Sequence, residues 1–192
     1  MKNSADSPRS KRLNAIIETA IVVALLCGLV GGAAWYFFER GYILYWGDAQ
    51  AHLNISRQLV DSRVSGYERL GNVWLPVLHL ICTPFVGNNR LWSSGLAGTI
   101  PVAICFVMAG AFFYLTAREA YRSRICAAIV LACFALNPNV LYLASIPMTE
   151  IVFLAGLAAL LFAILRFRAT QKSGYLLLGV IASWWMCLTR YD

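Results

Sequence analysis

The sequence predicts an all-α fold: a polytopic transmembrane helix bundle of about five spans, with two juxtamembrane helices in the first outer loop. Three observations carry that reading. Of the 192 residues, 60% are hydrophobic and 13% are charged, whereas about a quarter of a soluble chain is charged. Mean hydropathy is +0.66. The apolar residues gather in runs near the roughly 20 residues a helix needs to cross a hydrocarbon core about 30 Å thick, and Lys and Arg cluster at the ends of those runs.

Residues 1–13 form a polar basic tail. The first run, residues 14–38, is longer than the apolar part of a cleaved leader and ends in Trp35-Tyr36-Phe37-Phe38. It reads as an uncleaved signal anchor with its aromatics at the far interface. Further spans are predicted over residues 91–117, 125–144, 148–165 and 174–188. Residues 73–86 differ, because about 14 residues of helix reach only about 21 Å and Pro76 and Pro84 interrupt them. This segment is expected to lie at the interface or re-enter without crossing.

The placement of positive charge supports the same conclusion independently. Lys2, Arg9, Lys11 and Arg12 precede the first run; Arg118, Arg122 and Arg124 follow the second; Arg166, Arg168 and Lys172 follow the fourth. Cytoplasmic loops retain such residues, and all three clusters share one side only if residues 73–86 do not cross. On the outer side Arg40, Arg57, Arg63, Arg69, Arg90 and Arg190 are balanced by Glu39, Asp48, Asp61, Glu68, Glu150 and Asp192. The formal excess of +7 therefore falls on the cytoplasmic side. A pI near 9.3 is thereby explained by orientation and implies no nucleic-acid partner. The expected location is the plasma (inner) membrane or its equivalent, with the N-terminus cytoplasmic. The six cysteines show no C-x-x-C spacing and read as small apolar filler, while Gly95, Gly98 and Pro101 permit close helix contact or a kink.

The outer loop, residues 39–90, is too long for a simple connection and is read as functional. Its stretch DAQAHLNISRQLVDS predicts an amphipathic helix begun by Gly47 and an N-cap Asp48, with His52, Leu53, Ile55, Leu59 and Val60 on one face. Asp48 is either a cap or an acid at the outer mouth of the bundle. Glu150, close after Pro147, is either a helix-dipole partner or a functional ionisable group at the start of an uncharged span. His52 stands at i+4 from Asp48 and could share a divalent metal ion with it, or be a hydrogen-bonded core histidine. His79 has the same two readings.

In order, these features are GDAQAHLNISRQLVDS, the segment WLPVLHLICTPF, a span ending in Arg118 to Arg124, and ALNPNVLYLASIPMTEIVFLAGLAALLFAIL. Together they resemble the N-terminal half of the membrane domain of GT-C glycosyltransferases, the group of protein O-mannosyltransferases and aminoarabinose transferases. The resemblance runs from about residue 15 to 192. It implies two juxtamembrane helices in the first outer loop, and transfer of a sugar from a polyprenyl-phosphate carrier to an acceptor glycan, lipid or protein outside the membrane. It implies Asp48 as the catalytic base or acceptor-orienting acid, and Glu150 as the acid that positions the acceptor or a divalent metal. His52, Arg57, His79 and Arg190 are the expected substrate-binding residues, with Arg69 a further outer cation. Arg57 and Arg69 have an alternative use in pairing with Asp61 or Glu68, and Arg190 in snorkelling at the end of its span. Family members continue with more spans, so the chain is expected to be either part of a longer enzyme or a truncated relative inactive alone. The competing reading is a non-catalytic membrane assembly or lipid-binding subunit.

Overall fold

A computed structural model describes residues 8–191 except 64, 65, 67, 69, 71 and 72; Arg69 thus lies outside the described residues, as do Lys2 and Asp192. The described residues form helices joined by turns and loops, with no strand among them. Helix α1 covers Pro8–Glu39, α2 Gly47–Gln58, α3 Val77–Val86, α4 Asn89–Ser94 and α5 Leu96–Tyr121. They are followed by α6 Arg124–Ala135, α7 Pro138–Leu143, α8 Thr149–Thr170 and α9 Ser173–Cys187. Among the described residues three helices are long and apolar enough to cross a membrane: Arg12–Glu39, Leu96–Tyr121 and Thr149–Thr170.

Helix α5 is the centre, packed against α1, α6 and α8, with α9 on the far side of α8. Small residues make this possible. Ala97, Ala109, Ala155, Ala158 and Ala159 are all buried, and such residues let helix backbones approach closely where apolar surroundings give no hydrophobic drive to associate. At Gly156 an added Cβ would stand 2.7 Å from Met186 Cγ, and Trp185 Nε1 donates to the Val152 carbonyl at 2.7 Å. The α8–α9 pair is therefore held by both fit and a hydrogen bond.

Two predicted runs are broken. The run over 91–117 divides at Gly95, whose φ of +85° suits a residue without a Cβ; its vacancy is filled by Ile43 and Leu44. The run over 125–144 divides at Asn137-Pro138. Pro138 lacks an N–H and disfavours helix at the residue before it, and Asn137 caps the new helix by accepting from the Asn139 N–H at 3.0 Å. Helix α6 consequently has 12 residues, about 18 Å of rise. Helix α8 runs one turn beyond the expected 165, carrying Arg166 and Arg168.

The ends of the bundle segregate by charge. Glu18 of α1 accepts from Tyr114 Oη at 2.6 Å, Arg118 Nε at 3.1 Å and Arg124 Nε at 2.8 Å. Arg166 pairs with Glu119 at 3.0 Å. Arginines from the second and third basic clusters thus meet at the end where α1 begins. At the opposite end Tyr142 Oη donates to the Tyr42 carbonyl at 3.2 Å, and Gly98 packs on Pro147 and Leu53. Both ends of α3 belong there. Its Val77 N–H donates to the Leu188 carbonyl at 3.2 Å, at the end of α9, and the Val86 carbonyl accepts from Arg57 of α2.

Candidate functional site

The end of the bundle opposite the basic clusters holds a cavity of about 240 Å³ lined by Asp48, His52, Trp74, Thr149, Glu150, Thr189, Arg190 and Tyr191, among others. Four of the six residues singled out in the sequence, Asp48, His52, Glu150 and Arg190, meet here from three separate segments. Helix α2 delivers the first two, the start of α8 the third, and the turn after α9 the fourth.

Asp48 is not the N-cap of α2. Trp46 takes that position, without a side-chain cap bond, and Asp48 falls in the first turn, where a carboxylate favours the dipole. The buried stripe of α2 is Ala49, His52, Leu53 and Ser56, spaced i, i+3, i+4, i+7 as an amphipathic helix requires. It is rotated from the predicted face. The helix stops at Gln58, so Val60 falls beyond it and is exposed.

Glu150 also lies in a first turn, that of α8. Its Oε1 accepts from Arg190 Nη1 at 3.0 Å, with both side chains about one-third exposed. Its Oε2 is buried and without a hydrogen-bond partner among the described residues. A half-satisfied carboxylate beside a cavity is chemically available: an unpaired buried acceptor costs about 1–3 kcal/mol, which a hydroxyl donor would relieve.

Behind His52, which lines the cavity, stands His79; these are the only two histidines in the chain. His52 Nδ1 and His79 Nε2 are 3.0 Å apart, and Trp74 covers the His52 ring at a centroid distance of 4.6 Å. Their relative exposures are 2% and 1%. Burial pushes both imidazoles down to about 4, and for His52 the neighbouring His79 adds to the effect. Both rings are therefore neutral at pH 7. Between an unfolded value near 6.5 and the folded value near 4, the unfolded chain binds more protons. Folding stability should accordingly be full above about pH 6.5 and fall as pH drops towards 4. Thermal midpoints in detergent over that range test this, and a His52→Gln, His79→Gln double variant should flatten the slope.

Arg57 stands apart from the cavity. Its Nε donates to Asp61 at 2.9 Å and its Nη2 to Asn89 Oδ1 at 2.7 Å; its guanidinium also lies over Trp92 at 5.3 Å. The Asp61 pair is the alternative use given above for Arg57, whose other bonds tie α2 to the α3–α4 turn. His79 reaches the cavity only through His52. Sequence reasoning did not single out Trp74, Thr149, Thr189 and Tyr191 as site residues. The clue for the last two was adjacency to Arg190 in LTRYD. Among the described residues no group of three or more His, Cys, Asp or Glu side chains is placed to hold a metal ion, and His52 turns Nδ1 to His79.

No protein-family model, curated protein or solved structure matches this chain.

Proposed function

We propose that the chain belongs to a membrane glycosyltransferase that moves a sugar from a polyprenyl-phosphate carrier to a hydroxyl acceptor at the outer face of the membrane. The observation that carries the reading is the meeting of Asp48, His52, Glu150 and Arg190 in one cavity at the bundle end away from the basic clusters. In this reading α1, α5, the broken α6–α7 pair, α8 and α9 are the five crossings, and α2 and α3 are juxtamembrane helices flooring the outer mouth. Helices α6 and α9, with 12 and 15 residues, are short for a full crossing; α7 and the residues after α9 would complete them.

The chemistry required is a substitution at the anomeric carbon. The acceptor oxygen forms a bond to that carbon as the bond to the carrier phosphate breaks, with inversion. The phosphate departs with the electron pair, and the acceptor proton passes to a carboxylate. Asp48, exposed at the cavity edge, is the base of this scheme. Glu150 orients the acceptor through its unpartnered Oε2, while Arg190 fixes Glu150 and adds positive charge for the departing phosphate.

The test is sugar transfer by membranes carrying Asp48→Asn or Glu150→Gln; undiminished transfer in both removes the assignment. Topology has its own check. Cysteines introduced at 48 and 150 should both react from outside with an impermeant thiol reagent, above the wild-type background. Labelling of only one would overturn the arrangement of crossings.

A further inference from the structure

A histidine beside two carboxylates invites the role of proton acceptor, but the histidine pair points the other way. We infer that His52 faces the cavity as a neutral hydrogen-bond donor, its Nε2–H directed at a ligand oxygen, and that His79 is the positioning residue that fixes this tautomer. Naming the ligand oxygen as part of the carrier or the sugar rests on the transferase reading; the tautomer does not.

The argument is an accounting of protons. Each neutral imidazole has one N–H and one bare nitrogen. The 3.0 Å contact between His52 Nδ1 and His79 Nε2 needs one proton, from either ring. If His52 supplied it, the proton of His79 would sit on its Nδ1, which is buried and has no partner. Orphaned buried N–H groups are rarer than under-satisfied acceptors. The alternative leaves only a bare lone pair at that atom: His79 carries its proton on Nε2 and donates to His52 Nδ1. His52 must then be protonated at Nε2, the ring nitrogen not engaged by His79, and His52 lines the cavity. Because both rings stay neutral well below pH 7, the arrangement persists across physiological pH. Trp74 against the His52 ring and the packed α2–α3 pair hold the rings in place. A neutral donor next to the Glu150–Arg190 pair suits an oxygen acceptor, either a phosphate oxygen or a sugar oxygen, and is unsuited to removing a proton.

With two histidines in the chain, a protein labelled with ¹⁵N-histidine and purified without a histidine tag gives two imidazoles to assign. Long-range ¹H–¹⁵N correlation in a polyoxyethylene detergent should show both protonated at Nε2 and bare at Nδ1. In His79→Gln, whose amide N–H replaces the donor, His52 should keep that form; in His79→Ala it should divide between both tautomers. His52 protonated at Nδ1 in the wild-type protein overturns the inference, and the wild-type and Gln spectra decide it if the Ala variant does not fold. Decyl phosphate and decyl maltoside are then added separately. A shift of the His52 Nε2–H with the first identifies a phosphate oxygen as the acceptor and with the second a sugar oxygen; no shift with either overturns the ligand contact. Sugar transfer enters none of these readouts, so they stand or fall apart from the Asp48 and Glu150 assay.

Discussion

Gly98→Val should separate the two halves of the candidate site and destabilise the bundle more than a change at other glycines. An added Cβ at Gly98 would run into the Pro147 ring and stand 3.1 Å from Leu53 Cδ2. Leu53 belongs to the helix that carries Asp48, and Pro147 to the turn that leads into Glu150. Proline cannot yield by rotating a side chain, so the strain must be taken up by moving α5 against that turn. Overpacking costs about 1–3 kcal/mol, and contact with a rigid ring places this change at the upper end. The matched control is Gly32→Val in α1, where an added Cβ meets nothing within 4 Å. Thermal unfolding in detergent should show a clearly lower midpoint for Gly98→Val than for the control; equal midpoints would mean that the close approach is absent.

The two acids should fail differently when neutralised. Asp48 is exposed and makes no cap bond in α2, so Asp48→Asn should leave the unfolding midpoint close to wild type. Under the proposed scheme it removes the base, for a loss of about 10²–10⁴ in kcat. Glu150→Gln takes away one partner of the Arg190 pair. At one-third exposure that pair is worth about 1 kcal/mol, so the midpoint should fall modestly, and the loss of acceptor alignment should appear in KM as well as kcat. Parallel measurement of transfer and unfolding separates the two. Loss of transfer in both variants with the same drop in midpoint would assign both acids to structure and leave the reaction without a base.

The helical class and the segregation of charge were legible because both follow from composition. Apolar runs and clustered Lys and Arg need no tertiary knowledge, and the structure places Arg118, Arg124 and Arg166 at one end through Glu18 and Glu119. The run over 125–144 was misread as continuous because hydropathy does not register backbone geometry. The signal was present in Asn137-Pro138, a capping residue before a proline. The face of α2 was misjudged because Ser56 is buried by donating to the His52 carbonyl within its own helix, so a polar residue sits where the pattern expects an apolar one. Asp48, Glu150 and Arg190 could be named as ionisable groups near apolar runs. Their meeting depends on the close fit of Gly98 with Pro147, a contact between residues 49 apart in sequence that no local pattern records. Arg57 has the Asp61 partner that its i, i+4 spacing suggests; its further partners, Asn89 and Trp92, are set by the turn that follows α3.

Glu18 sets an order of events during synthesis. Its three partners, Tyr114, Arg118 and Arg124, lie 96, 100 and 106 residues downstream. At a translation rate of about 5–20 residues per second, Glu18 is made roughly 5–20 s before the groups that neutralise its carboxylate exist. During that interval α1 carries an unpaired acid in an otherwise apolar run, which favours holding that segment near the aqueous boundary. The docking of α1 is thus timed by the arrival of the α5–α6 turn.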